Sequence, residues 1–170
     1  VLEAPAGLIR VRCDCQDGKV TRVRFTNQPA FCYHLDAEIE VAGIGTLRVD
    51  VAYGGMTYVL VAARDLGLEI EPAEARQMCE LGQKIKAAAA EQLAVEHPDN
   101  PAIPGITQTE FTGPIRRDGN RLDSRNATIV SPGRCDRSPC GTGCSARLAV
   151  LHAKGQMLAG DTLVHESIIG

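Results

Sequence analysis

The chain has 170 residues, of which 44% are hydrophobic and 23% charged, and its formal net charge is −3. That balance belongs to one ordinary globular domain, long enough to bury a substantial core. It excludes nucleic acid as the expected partner, since no basic run or interleaved aromatic patch is present, and no apolar stretch nears the ~20 residues of a membrane-spanning helix.

Leu8 to Cys15 alternates Arg10 and Arg12 with Ile9, Val11 and Cys13, the pattern of a strand. Asp17-Gly18 makes a hairpin turn into Val20 to Thr26, where Val23 and Phe25 alternate with Arg22 and Arg24. Asn27-Gln28-Pro29 ends that strand. Tyr33 to Val41, Thr46 to Ala52 and Thr57 to Ala63 read as three more, parted by Gly43-Ile44-Gly45 and Gly54-Gly55. Pro72 opens a long helix in which Ala75, Met78, Cys79, Gly82, Ile85, Ala89, Leu93 and Val95 keep near-helical spacing, and which ends near His97-Pro98. Asp99 to Gly105, with Pro101 and Pro104, is a loop. Ile106 to Thr112 returns as a strand, Asp118-Gly119-Asn120 is a turn, Ala127 to Val130 is a short strand, and Thr162 to Ile169 closes the chain as another. With no repeat and no linker, residues 1–170 read as one α+β domain.

The stretch from Asp136 to Ala146 carries the chemistry. It places Cys140 between Pro139 and the run Gly141-Thr142-Gly143, at the mouth of a helix that continues through Ala146, Leu148, Ala149, Val150, Leu151 and Ala153 and closes at Lys154-Gly155. A helix apolar on nearly every side is expected to be surrounded by protein. Ser138 and Pro139 suit its cap and first turn, so the free N–H groups are expected from Cys140, Gly141, Thr142 and Gly143, offering partial positive charge to an anion or a thiolate. Cys144 stands one turn beyond Cys140, on the same face, and reads as a packed small side chain under the site. Seven cysteines cannot all pair, and their spacing suggests no disulfide framework, so reduced thiols in a cytoplasmic protein are expected. Cys135, Cys140, Cys144 and His152 fit no zinc spacing, and no metal is expected.

Asp136-Arg137-Ser138-Pro139-Cys140-Gly141-Thr142-Gly143-Cys144-Ser145-Ala146 closely resembles the second cysteine motif of the proline racemase and hydroxyproline epimerase family, Asp-Arg-Ser-Pro-Cys-Gly-Thr-Gly-Thr-Ser-Ala, with Cys144 in place of the second Thr. Val49 to Gly55, Gly105-Ile106 through Phe111-Thr112-Gly113-Pro114, Arg125-Asn126-Ala127 and His165-Glu166-Ser167 follow in the family's order, so that the resemblance runs from about Pro29 to Gly170. It is closer to the hydroxyproline epimerases, chiefly through Ala127 to Met157.

The resemblance implies a diaminopimelate epimerase-like fold, with an antiparallel or mixed sheet wrapped around a central buried helix. It also implies a cofactor-independent isomerase that inverts the α-carbon of 4-hydroxyproline or proline with two thiols on opposite faces. Cys140 would be one of them, Asp136 would contact the ring nitrogen, and the N–H groups of Gly141, Thr142 and Gly143 would hold the carboxylate. Gln108 stands where relatives often carry a pocket His, and it can hydrogen-bond a ring hydroxyl without carrying charge. His165 and Glu166 fit the pattern and read as structural.

The family's earlier motif, Met-Cys-Gly-His-Gly, has no counterpart here. The chain starts at Val1 without Met and stops at Gly170, where the family continues into further strands, so it is expected to be roughly the second domain of a two-domain parent whose N- and C-terminal parts lie outside it. Its expected partners are a prolyl substrate and either a second copy or the missing N-terminal domain. The alternatives are a trans-3-hydroxyproline dehydratase, against which Cys140 argues because those enzymes carry Thr there, an inactive fragment, or a binding module for a prolyl ligand.

Overall fold

The computed structural model describes residues 1–5 and 7–170. Strands β1 (Leu2–Ala4), β2 (Gly7–Gln16) and β3 (Lys19–Thr26) form a small antiparallel sheet in that order. Asp17 and Gly18 take φ of 50° and 75°, the left-handed pair that a two-residue hairpin turn demands. The expected alternation is present, yet the apolar side is uncovered: Val20, Val23 and Phe25 are all at least half exposed. The sheet is tied to the rest of the chain at its end, where the Phe25 ring lies over Gly141 and Asn27 Nδ2 donates to the Gly54 carbonyl at 2.7 Å and to Ser145 Oγ at 2.9 Å.

A second sheet has eight strands. β4 (Phe31–Val41), β5 (Gly45–Tyr53) and β6 (Thr57–Ala62) are consecutive and antiparallel. The chain then crosses through α1 (Ala75–Gln92) and returns as β7 (Ile106–Thr112), parallel to β6. β8 is Arg116–Asp118, β9 is Arg121–Val130 and β10 is Arg134–Cys135. α2 covers Gly141–Ala153 and β11 covers Thr162–Glu166. β9 is where the sheet divides: its first half pairs with β8 and, in parallel, with β11, while its second half pairs with β7 and β10.

The two-residue period of the strands sends alternate side chains to opposite sides. On one side Val49, Val51, Val59, Val61, Phe111 and Ile129 bury against Met78, Ile85 and Ala89 of α1. Each fully buried aliphatic side chain contributes ~1.5–3 kcal/mol. On the other side Ala52, Tyr58 and Leu60 bury against Ala146 and Val150 of α2. Leu151 and Leu148 of α2 pack on Leu122, Met157 and Leu163, so α2 meets two parts of a sheet that curves around it. Lys154, just beyond α2, pairs with Asp36 and Asp50 at 2.8 Å each and ties that end of the helix to β4 and β5. The expected α+β class with a mixed sheet curved around α2 is the architecture observed, but α2 is covered less completely than its apolar sequence suggests: Gly143, Ala146, Val150 and Leu151 are buried, and its other residues are half-buried or exposed.

Several boundaries differ from expectation. The long helix begins as a short 3-10 turn at Pro72–Glu74 and stops at Gln92, five residues short of His97. Leu93 and Val95 continue the apolar spacing because they cover the α1-side core from extended chain. His97 is buried instead, edge-on to Tyr53 at 4.6 Å and to Phe31 at 5.4 Å. The strand expected over Ala127 to Val130 starts at Arg121, and the closing strand ends at Glu166 rather than Ile169.

Candidate active site

α2 begins two residues later than its sequence suggests. Cys140 is its N-cap, at φ 58° and ψ 101°, and the first helical residue is Gly141. Ser138 does not cap the helix; its Oγ accepts the Cys140 N–H at 3.1 Å, and Pro139 precedes the first turn. The donors left at the mouth are therefore the N–H groups of Gly141, Thr142 and Gly143, since the Cys144 N–H already reaches the Cys140 carbonyl at 2.8 Å.

This mouth is reached because two glycines let β-structure and helix touch. A Cβ on Gly54 would run into the Thr142 carbonyl and the Ala146 nitrogen, and one on Gly143 would run into Glu110 Oε2. The Gly54-Gly55 break between β5 and β6 is thus the seat of α2.

Around Cys140 the sheet supplies Tyr58, which sequence reading did not single out. Its hydroxyl lies 3.3 Å from Cys140 Sγ and 2.6 Å from Thr142 Oγ1. Burial raises the phenol well above its ordinary range, with Cys140 adding to the effect, so Tyr58 stays a neutral phenol. Gln108 pairs in register with Tyr58 on the adjacent strand and is buried, and its Oε1 is without a partner among the described residues. The structure brings Gln108 to the same side of the sheet as the site.

Asp136 lies on the approach to α2. Its carboxylate accepts from Ser138 N at 2.9 Å and from Ser138 Oγ at 3.0 Å, and its own N–H donates to the Thr128 carbonyl at 2.8 Å. Asp136 therefore shapes the Ser138-Pro139 turn whatever else it does.

Cys144 does not share the surroundings of Cys140. Its Sγ meets the Pro139 carbonyl and His165 Nδ1, each at 3.1 Å, because Cys140 precedes the helix and turns toward Tyr58. Burial, then the charges of Glu110 and Cys140, push the Cys144 thiol up to about 12, as suits a packed side chain. His165 is lowered to about 4 by burial and by Arg147, which keeps its ring neutral near pH 7.

Beneath α2 lies a second polar layer that sequence reading also passed over. Glu110, Asn126 and Thr128 of β7 and β9 are fully buried on the α2 side. A carboxylate between Thr109 and Phe111 in an otherwise uncharged strand is the one signal that could have marked it. Among the described residues no three His, Cys, Asp or Glu side chains gather as a metal cradle, and no helix is long and apolar enough to cross a membrane. A broad cleft of about 1490 Å³ opens near Arg147 and Lys154, toward the far end of α2, and does not include Cys140.

The family model described as proline racemase matches residues 1–170. Among solved structures, a hydroxyproline epimerase from Agrobacterium vitis with bound trans-4-OH-L-proline superposes with a TM-score of 0.88 at 44% sequence identity, over 97% of this chain and 46% of that one. A probable proline racemase from Agrobacterium radiobacter K84 with bound carbonate also gives a TM-score of 0.88, at 40% identity, over 97% of this chain and 47% of that one. The chain thus spans about half the length of the solved structures it matches.

Proposed function

The chain belongs to the proline racemase family, and from that premise we propose that it supplies the Cys140 half-site of a cofactor-independent isomerase inverting the α-carbon of 4-hydroxyproline or proline. The observation that carries this reading is the mouth of α2. There one thiol, a neutral phenol 3.3 Å from its sulfur and three free backbone N–H groups are gathered at the first turn of the helix.

The chemistry follows from those groups. Cys140 as thiolate takes the α-proton: the C–H bond breaks, an S–H bond forms, and the electron pair moves onto the substrate carboxylate. The N–H groups of Gly141, Thr142 and Gly143 receive that growing charge. Before the step, Tyr58 donates to the sulfur anion. Asp136 keeps lone pairs free for a secondary ammonium beyond those used by Ser138. Gln108 Oε1, buried and unpartnered, accepts from a ring hydroxyl, which favours 4-hydroxyproline over proline. A second thiol, on the opposite face of the substrate, comes from outside this half-site, in the N-terminal domain of a longer parent or in a second copy.

Limiting iodoacetamide on the 170-residue chain tests the assignment. Cys140 should be alkylated ahead of Cys13, Cys79 and Cys144, and trans-4-hydroxy-L-proline should protect it at lower concentration than L-proline, by on the order of 10-fold, a preference lost in Gln108→Ala. The chain alone should not invert either amino acid, because one base serves one face. Peptide mapping that finds Cys140 the slowest of the cysteines, or sustained change in optical rotation from this chain alone, would overturn the reading.

A further inference from the structure

Glu110 is a buried carboxyl to which the half-site as described gives no task. Its Oε1 accepts from Asn126 Nδ2 at 3.2 Å, and its Oε2 has no partner among the described residues. The same Asn126 nitrogen donates to the Pro139 carbonyl at 2.7 Å, which also accepts from Cys144 Sγ at 3.1 Å. That carbonyl belongs to the peptide that carries the Cys140 N–H.

Cys140 holds φ 58°, a left-handed conformation that costs a non-glycine residue ~1–3 kcal/mol and persists only where its surroundings fix it. Ser138 Oγ fixes its N–H, the Cys144 N–H fixes its carbonyl, and Asn126, braced by Glu110, fixes the peptide before it. The other carboxyl oxygen lies under Gly143. A methyl group placed there would run into Oε2 while sitting 3.4 Å from the Cys140 Cβ, so the carboxyl and the thiol-bearing carbon both border the small space that Gly143 leaves open.

Resting on the assignment of Cys140 as the proton-transferring thiol, we propose that Glu110 is its positioning residue, fixing the Pro139–Cys140 peptide through Asn126 and setting by its own charge how readily the thiolate forms. Glu110 meets Asn126 from β9 and the charge of Arg147 from α2, acts in turn on Cys144 of α2 and Tyr58 of β6, and lies across Gly143 from Cys140, while His165 of β11 stands behind Cys144. Arg147 is the cation among them, and burial holds it below the usual guanidinium range. Burial pushes Glu110 up to about 7, against the opposing pull of Asn126 and Arg147. The carboxyl is therefore neutral in acid and anionic above neutrality, where a negative charge this close works against a second one on sulfur.

The test measures Cys140 alkylation on the 170-residue chain from about pH 5 to about pH 9, in the unmodified chain, Glu110→Gln and Thr128→Val. The Glu110→Gln variant keeps the acceptor for Asn126 and removes the charge. Its rate should match the unmodified chain in acid and exceed it by on the order of 10-fold above pH 8. Thr128→Val disturbs the same buried layer without changing charge and should follow the unmodified chain throughout. A Glu110→Gln curve parallel to that of the unmodified chain, or a Thr128→Val curve showing the same pH-dependent gap, overturns the proposal. Should Glu110→Gln fail to fold by circular dichroism, carboxyl carbon NMR of the unmodified chain decides. A glutamate titrating near neutrality that moves when Cys140 is alkylated supports the proposal, and its absence overturns it. Failure of Cys140 to react first would instead sink the assignment of the thiol.

Discussion

At Cys140 the backbone leaves the helix and turns the side chain toward Tyr58, so the thiol is presented by a single residue's conformation backed by the polar groups beneath it. Tyr58 is the contact most open to a clean test. Hydrogen bonds to charged groups contribute ~1.5–3 kcal/mol, and Tyr58→Phe removes one donor from the sulfur anion while leaving the ring packed on Ala146 and Val150. Alkylation of Cys140 near pH 7 should slow by on the order of 10-fold or more, with little change in the urea midpoint. An unchanged rate would show that the phenol serves Thr142 alone. Cys144 takes the opposite part: it stands in the family's Thr position and uses its S–H to hold the Pro139 carbonyl, a bond that a hydroxyl could make as well.

The seat of α2 is made at the level of elements, by the break between β5 and β6. Gly54 lacks room for a side chain, because the Thr142 carbonyl and the Ala146 nitrogen already occupy it. Gly54→Ala should therefore push the helix mouth away and cost on the order of 3 kcal/mol, read as a lower urea midpoint together with slower alkylation of Cys140. Gly43→Ala is the comparison: its Cβ would meet open space, and only the φ of 77° stands against it, so the loss should be nearer ~1 kcal/mol with Cys140 untouched. Equal losses would mean that the contact at Gly54 is no tighter than an ordinary turn. The glycine pair, the Asp17-Gly18 hairpin and the helix after Cys140 were all legible in the sequence because each is set by local backbone chemistry. β8 and β10 were not, since strands of 3 and 2 residues exist only by pairing with β9. Tyr58, Glu110 and Asn126 were missed for the same reason: the sheet carries them under α2 from residues 82, 30 and 14 positions away from Cys140, and no local pattern records that meeting. The end of α1 was misplaced because Leu93 and Val95 serve the core from extended chain while keeping a helical spacing.

Taken as a whole, the molecule buries two titratable groups on the α2 side whose effects on stability oppose each other. Glu110 rises to about 7 from an ordinary value of 4.5. The unfolded chain thus releases this proton more readily, and stability that is full below pH 4.5 is lost as the pH climbs through 7. His165 falls from 6.5 to about 4, so its contribution is full above pH 6.5 and is lost as the pH drops through 4. At about 1.4 kcal/mol for each pKa unit, either loss reaches roughly 3 kcal/mol at most. Between these limits one loss grows as the other recedes, so the unmodified chain should show a shallow stability profile with its best point in mild acid. That flatness would hide both groups, and single substitutions should uncover them. Glu110→Gln should gain stability relative to the unmodified chain as the pH rises from about 4.5 to about 7, while His165→Gln should gain as it falls from about 6.5 to about 4, each by several degrees in Tm. Thermal melts followed by circular dichroism across that range provide the check. If both variants differ from the unmodified chain by the same amount at every pH, neither group titrates in the folded molecule as its burial requires, and the charge coupling between Glu110 and Cys140 loses its physical basis.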